Sequence, residues 1–327
     1  MNILAPINDI SRIESLIDAG ADEFFFGFYN DEDIEKFGRY FELNRMSGFG
    51  RYANKFNYQD SLELVKKIRE AGKDSYVTLN SSGYTEEALL YLEKYVSGLI
   101  DAGATGIIVS CPEMIDVVRR NGGNPVVSCV GTVYNSASVR YFQELGAVRI
   151  IVPRDLKMEE IAKMKNEVPN MEFETFIMRN GCILSDGNCL GLHQFEHGGI
   201  CNDIRKSEKR FMVADEHDRN KLVETQKKYD ACLYKHACAL CGIYRMIQIG
   251  IDACKMVGRV DRPDQVLEDM KIVSENRKIA MQCWNENEYF EKMIIPDDHE
   301  NICKLGYSCY FPEIINPKLS LQIKSQG

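Results

Sequence analysis

The sequence predicts an α/β fold, a (β/α)8 barrel of the TIM type, and three observations predict it. Short β-rich runs alternate with amphipathic helical runs eight times between Asn2 and Cys283. A small motif recurs where helices stop: DAGA at 18–21 and 101–104, EAGK at 70–73 and ELGA at 144–147. Each places Gly where the chain leaves a helix and turns into a strand. The length, 327 residues, accommodates one barrel with insertions. An open doubly wound sheet uses the same alternation and is the competing architecture.

The elements follow in order. Asn2–Pro6 reads as the first strand, and Ile10, Ile13, Leu16 and Ile17 recur at helical spacing within Asp9–Ala21. Asp22–Phe28 is the second strand. Tyr58–Lys73 is helical, with Asp60 or Ser61 near its start and Gly72 at its end, and Asp74–Asn80 is the third strand. Thr85–Ala104 is a helix whose Glu86 and Glu87 suit a positive N-terminal end. Thr105–Ser110 and Asn124–Gly131 are strands four and five, separated by the helix Pro112–Gly122, with Pro in its first turn. Asn135–Ala147 and Asp155–Val168 are helices around the sixth strand, Val148–Arg154. Met171–Met178 is the seventh strand, Leu240–Ile251 a helix, Ala253–Gly258 the eighth strand and Pro263–Cys283 the last barrel helix.

Two stretches interrupt this rhythm, Tyr29–Asn57 and Asn180–Lys235. Loops this long inside a compact domain carry function or extra substructure. Both follow strands, so both are expected on the C-terminal face, where barrels keep their chemistry. Residues 1–284 are expected to form the barrel, including a Cys-rich insertion over 180–238, and 285–327 a C-terminal extension.

Composition narrows the partners. Hydrophobic residues make up 45% and charged residues 27%, as in soluble globular chains. The net charge of −9 argues against nucleic-acid binding by bulk charge alone, though a local basic patch remains open. The N-terminus lacks the basic and apolar regions of a signal peptide, and no run of about 18 apolar residues suggests a membrane span. The expected compartment is the cytoplasm. There disulfides are disfavoured, so twelve cysteines point to metal binding or catalysis.

Cys182, Cys189 and Cys201 follow the seventh strand, and Cys232, Cys238 and Cys241 precede the eighth. A barrel brings these segments together. Converging thiolates suit zinc or an iron–sulfur cluster, both thiophilic. Only Cys238 and Cys241 have the close spacing of a zinc knuckle, and the wider gaps fit a cluster in irregular loops at least as well. Cys111, Cys129 and Cys254 lie at or within strands and read as small core residues. Cys283, Cys303 and Cys309 have no assigned role. His193 and His197 are further candidate ligands, or solvated loop residues.

At these positions the chain resembles the collagenase-like peptidase family, family U32, whose signature has the form E-x-F-x-H-G-A-x-C-x-x-Y-S-G-x-C. Glu174, Phe176, Cys182, Gly187 and Cys189 match in register. A second family stretch, C-x11-G-x4-K-x-E-G-R, matches at Cys238, Gly250, Lys255, Gly258 and Arg259. The resemblance implies a barrel-like fold. Several members are oxygen-independent hydroxylases with a 4Fe–4S cluster on four cysteines, acting on ubiquinone precursors, transfer RNA or ribosomal RNA, and the RNA-modifying ones depend on prephenate. By register it implies Cys182, Cys189, Cys201 and Cys238 as cluster ligands, with Cys241 in reserve and zinc as the alternative metal. Met178 stands where the signature has His, and Val257 where it has Glu. Neither can take part in proton transfer.

The leading expectation is therefore an iron–sulfur enzyme for hydroxylation or related redox modification of a small molecule or RNA base. Arg45, Arg51 and Arg179 are candidates to hold an anionic substrate, because guanidinium binds carboxylates bidentately. No catalytic residue is singled out. Two alternatives stand: a collagenase-like peptidase, although no G-x-S-x-G or H-E-x-x-H occurs, and a metal-stabilised partner subunit without catalysis of its own. A homodimer, or a heterodimer with another family member, is the expected assembly.

Overall fold

The computed structural model describes residues 1–38, 41–182, 185–189, 215–297, 299–303 and 309–319. Eight parallel strands follow one another around a closed barrel: β1 (Asn2–Pro6), β2 (Glu23–Phe26), β3 (Asp74–Leu79), β4 (Gly106–Val109), β5 (Pro125–Val127), β6 (Arg149–Ile151), β7 (Glu172–Met178) and β8 (Ala253–Met256). β1 pairs with β2 through Leu4 and Glu23 and with β8 through Ile3 and Cys254, so the sheet has no edge and the open alternative is excluded. Phe24, Phe26, Val77, Val109, Val127 and Ile150 are fully buried. Strands covered on both faces read as continuous apolar runs, which is why the sequence announces them.

Twelve α-helices lie among the described residues: α1 (Ile13–Asp18), α2 (Asp31–Phe37), α3 (Tyr58–Glu70), α4 (Glu86–Ala102), α5 (Pro112–Arg120), α6 (Ser136–Glu144), α7 (Met158–Glu167), α8 (Glu216–His236), α9 (Ile243–Gln248), α10 (Pro263–Gln282), α11 (Glu286–Lys292) and α12 (Glu300–Cys303). Their ends follow capping chemistry. Asn57 caps α3 by accepting from Asp60 N at 2.8 Å, while the Asp60 carboxylate accepts from Asn57 N at 3.3 Å. The start signal is thus Asn57, upstream of the expected Asp60 or Ser61. Thr85 caps α4, and Gly103, at φ 100°, ends it.

Three local differences bear on the site. β5 stops at Val127 instead of running to Gly131, and Cys129–Gly131 wind into a 3₁₀ turn. A Cβ on Gly131 would stand 2.6 Å from Val127 Cγ1, so the turn needs glycine there. The first interrupting stretch contains α2 and a 3₁₀ segment, Ser47–Tyr52. The second contains α8, capped by Asp215, which accepts from Asp218 N at 2.9 Å.

The barrel interior is charged near its N-terminal end. Arg149 on β6 donates to both Glu23 oxygens, at 2.7 and 3.0 Å, and to Glu174 at 3.3 Å, with its guanidinium 4.6 Å from the centre of the Tyr76 ring. Burial raises the Glu23 carboxyl above its ordinary value, against the pull of Arg149. One step toward the mouth, Lys255 Nζ on β8 donates to Glu174 at 3.1 Å.

A candidate active site at the barrel mouth

The site begins where β7 ends. Arg179 and Asn180 take left-handed backbone angles, φ 65° and 49°, a conformation costing roughly 1–3 kcal/mol per residue unless the surroundings hold it. They are held on every side. Arg179 N donates to Ala237 O at 2.7 Å, and its guanidinium forms a bidentate pair with Asp269 on α10, both bonds 2.7 Å. Asn180 Nδ2 donates to Asp261 at 2.9 Å, and Tyr310 Oη donates to Arg179 O at 2.5 Å. This turn ends β7 and brings the chain to Gly181 and Cys182.

Asp186, fully buried, sits between Cys182 and Cys189 in sequence and is the anchor of that chain. Its Oδ1 accepts from Arg154 Nη1 at 2.6 Å and Arg45 Nη1 at 3.2 Å, and its Oδ2 accepts from Arg154 N at 3.0 Å. Burial opposes ionisation, but the Arg154 and Arg45 guanidiniums overcome it and hold the carboxyl below its ordinary value. Arg154 stacks 3.6 Å from the centre of the Phe176 ring, the signature aromatic. Gly187 N donates to Tyr134 Oη at 3.0 Å, and Tyr134 also contacts Ser185 and donates to Asp155. A Cβ on Gly187 would stand 2.7 Å from the Tyr134 ring, so the matched glycine is required for this packing.

Beneath Asp186 the mouth is cationic. Arg259, just past β8, is buried, and its Nη1 donates to two neutral oxygens, Thr78 Oγ1 at 3.1 Å and Asn54 Oδ1 at 3.3 Å. Burial, with Arg45 nearby, pushes the guanidinium down to about 10. Arg45 and Arg154 thus share the carboxylate of Asp186, Lys255 and Arg149 share that of Glu174, and Arg259 has neutral partners. Gly27 makes the room: a Cβ there would meet Arg259 Nη1 at 2.4 Å and Asn54 Oδ1 at 2.5 Å. Cys129 Sγ lies 3.4 Å from Arg45 Nη1, and burial pushes its thiol up to about 11.

The residues expected from sequence fall in different places. Arg45 stands in the mouth. Arg51 is exposed and pairs with Asp31 at 2.7 Å. Arg179 is buried against Asp269 and holds the β7 turn. Cys182 and Cys189 are half-buried, within the electrostatic reach of Arg154 and Arg45 respectively. Cys238 lies beside the end of β7, bridged to Met178 and Cys309. Cys201, His193 and His197 lie outside the described residues. Among those described, no His, Cys, Asp or Glu group of three or more is tight enough to hold a metal ion. The donors within the described residues are nevertheless soft: two half-buried thiols on a loop pinned by Asp186, with Cys238 beyond β7. That chemistry suits an iron–sulfur centre.

Sequence reasoning passed over Asp186 and Arg154; Cys129, read as a small core residue, is buried as expected, and only its place beside Arg45 was unforeseen. Arg154 closed the predicted sixth strand, at the barrel's functional end, and Asp186 lay inside the matched signature, so both had a readable signal. The place of Cys129 had none until the early end of β5 was known.

The family model for peptidase family U32 matches residues 8–311. The chain is 28% identical over 265 residues to tRNA hydroxylation protein P1 of Bacillus subtilis, covering 79% of this chain and 58% of that one. It is 24% identical over 306 residues to an uncharacterized protease of Methanocaldococcus jannaschii, covering 89% and 69%. A collagenase of Porphyromonas gingivalis is 23% identical over 216 residues, covering 66% and 45%. The chain spans just over half the length of the first of these relatives. No helix among the described residues is long and apolar enough to cross a membrane. With nearly all of its length matched, the chain belongs to peptidase family U32.

Proposed function

We propose that the chain is an iron–sulfur enzyme that modifies a small molecule or an RNA base, by oxygen-independent hydroxylation or a related redox step. The observation that carries this reading is the buried cationic mouth, where Arg45 and Arg154 hold Asp186 and Arg259 lies nearby. A guanidinium with only neutral partners, such as Arg259, is compensated when an anion arrives. Arg45 and Arg259 would hold that anion, a carboxylate or phosphate, while Arg154 keeps the loop down through Asp186. The Bacillus subtilis relative is named for tRNA hydroxylation, which supports RNA as the modified partner.

The cluster ligands we propose are Cys182, Cys189, Cys201 and Cys238, with Cys241 in reserve. Bound there, a 4Fe–4S cluster would supply electron transfer next to the anion site. The protein's own part is to desolvate the substrate, orient it on Arg45 and Arg259, and exclude water with the loop. The peptidase reading finds less support, since Cys129, the thiol within the mouth, is buried and held protonated.

Anaerobic purification followed by iron, sulfide and absorption analysis tests this. About four irons per chain, lost in Cys189→Ser, is the expected result. Iron-free, colourless anoxic protein would sink the proposal.

A further inference from the structure

Beside Arg259 the first interrupting stretch displays basic and aromatic side chains that the function above leaves unused. Residues 43–59 contain Arg45, Arg51 and Lys55 and no Asp or Glu, in a chain whose net charge is −9. Arg51, Tyr52 and Lys55 are exposed, while Ala53 and Asn54 between them are buried. Tyr52 is 48% exposed, with Lys55 Nζ 5.3 Å from the centre of its ring, and the Arg51 guanidinium lies 6.0 Å from the centre of the Tyr29 ring. The segment is held in place from within. Asn54 Nδ2 donates to Met46 O at 3.1 Å and Gly50 O at 3.2 Å, and Tyr29 N donates to Phe56 O at 3.0 Å. It also touches the anion site: Asn54 Oδ1 accepts from Arg259 Nη1 at 3.3 Å, and Tyr52 Oη donates to Val260 O at 3.4 Å. Two residues past Val260 stands Arg262, also exposed. Nearby carboxylates are engaged: Asp31 with Arg51 at 2.7 Å, Asp60 in the α3 cap, Asp261 with Asn180, and Asp264 with Arg12 at 2.8 Å.

We propose, resting on the RNA reading above, that Arg51, Tyr52 and Lys55, with Arg262 of the adjoining loop, form a landing surface for single-stranded RNA beside the mouth. An unpaired base stacks on an exposed aromatic ring while the neighbouring cations take its phosphates. Tyr52 supplies the ring, and Arg51 and Lys55 flank it in sequence. The exposed Arg51–Asp31 pair contributes little, so a phosphate displaces that carboxylate at small cost. A duplex keeps its base faces stacked away from such a ring, and an acidic peptide would use the cations and not the ring. Tyr52 touches Val260 and Asn54 touches Arg259, so a strand held on Tyr52 reaches the mouth beside the buried cation that awaits an anion.

The test is fluorescence anisotropy of a labelled single-stranded RNA of mixed sequence, titrated with the full chain purified anaerobically. Saturable binding is expected, weakened about tenfold by Tyr52→Ala and restored by Tyr52→Phe, because the ring and not the hydroxyl stacks. Arg51→Ala/Lys55→Ala should lower the salt slope of log K by about 1.4, two phosphate contacts at about 0.7 each on a single strand. Inorganic polyphosphate, an acidic peptide and phosphatidylglycerol vesicles should bind about tenfold more weakly than the RNA or worse. Any of them binding as tightly, with the same loss in Tyr52→Ala, overturns the assignment. Unmutated protein guards against misfolded variants: photo-crosslinked RNA is expected on the peptide that carries Tyr52, and an adduct confined elsewhere overturns the proposal. RNA binding indifferent to Arg51, Tyr52 and Lys55 sinks this surface and leaves the RNA reading standing, whereas no RNA binding at all sinks both. Iron and sulfide content reports on the cluster separately.

Discussion

Arg259 and Gly27 work as a pair: the guanidinium occupies the space a Cβ on residue 27 would fill, between Asn54 and Thr78. Gly27→Ala is expected to expel the guanidinium and cost about 1–3 kcal/mol by overpacking. Thermal shift against a dicarboxylate series should show the unmutated chain protected and the variant at least tenfold weaker. Asp186 makes the opposite argument. Its carboxyl is held below the ordinary carboxylate value of about 3.9, so its contribution is present above that pH and is lost as pH falls through the folded value. Asp186→Asn leaves Arg45 and Arg154 without their shared carboxylate and should cost about 3–5 kcal/mol near neutrality. Denaturant unfolding between pH 7 and pH 3 checks both parts: the variant starts lower and loses less stability on acidification.

At the scale of elements, the end of β7 decides where the cysteine loop goes. Two consecutive left-handed residues without glycine persist because Asp269, Asp261, Ala237 and Tyr310 each hold one polar group of the turn. Asp269→Ala removes the partner of a buried guanidinium and is expected to cost about 3–5 kcal/mol, read by chemical denaturation. The strands themselves were legible because burial on both faces writes them as apolar runs. α8 was not: its charged sequence lacks a clear apolar face, so periodicity had nothing to report. The end of β5 was hidden for another reason. Val130 continues the apolar run past Val127, and only the crowding around Gly131 shows that the chain has already turned. For the site, the signature cysteines and Arg45 could be named in advance because residue type marks them. The ion pairs that bind Arg51 to Asp31 and Arg179 to Asp269 could not, since the partners lie 20 and 90 residues away.

Across the whole molecule, the barrel stacks ionic layers from Glu23 and Arg149, through Glu174 and Lys255, to Arg45, Asp186 and Arg154. The tail then closes over one side of the mouth. Tyr310→Phe removes the bond to Arg179 O and is expected to cost about 0.5–1.5 kcal/mol, with faster amide exchange at Arg179 and Ala239 as the local signature. That clasp also orders events during synthesis. Cys238 cannot be flanked on both sides until Cys309 has left the ribosome, long after the eighth strand is available. A nascent chain halted before that point would therefore carry a finished cylinder with Cys238 covered from the β7 side alone.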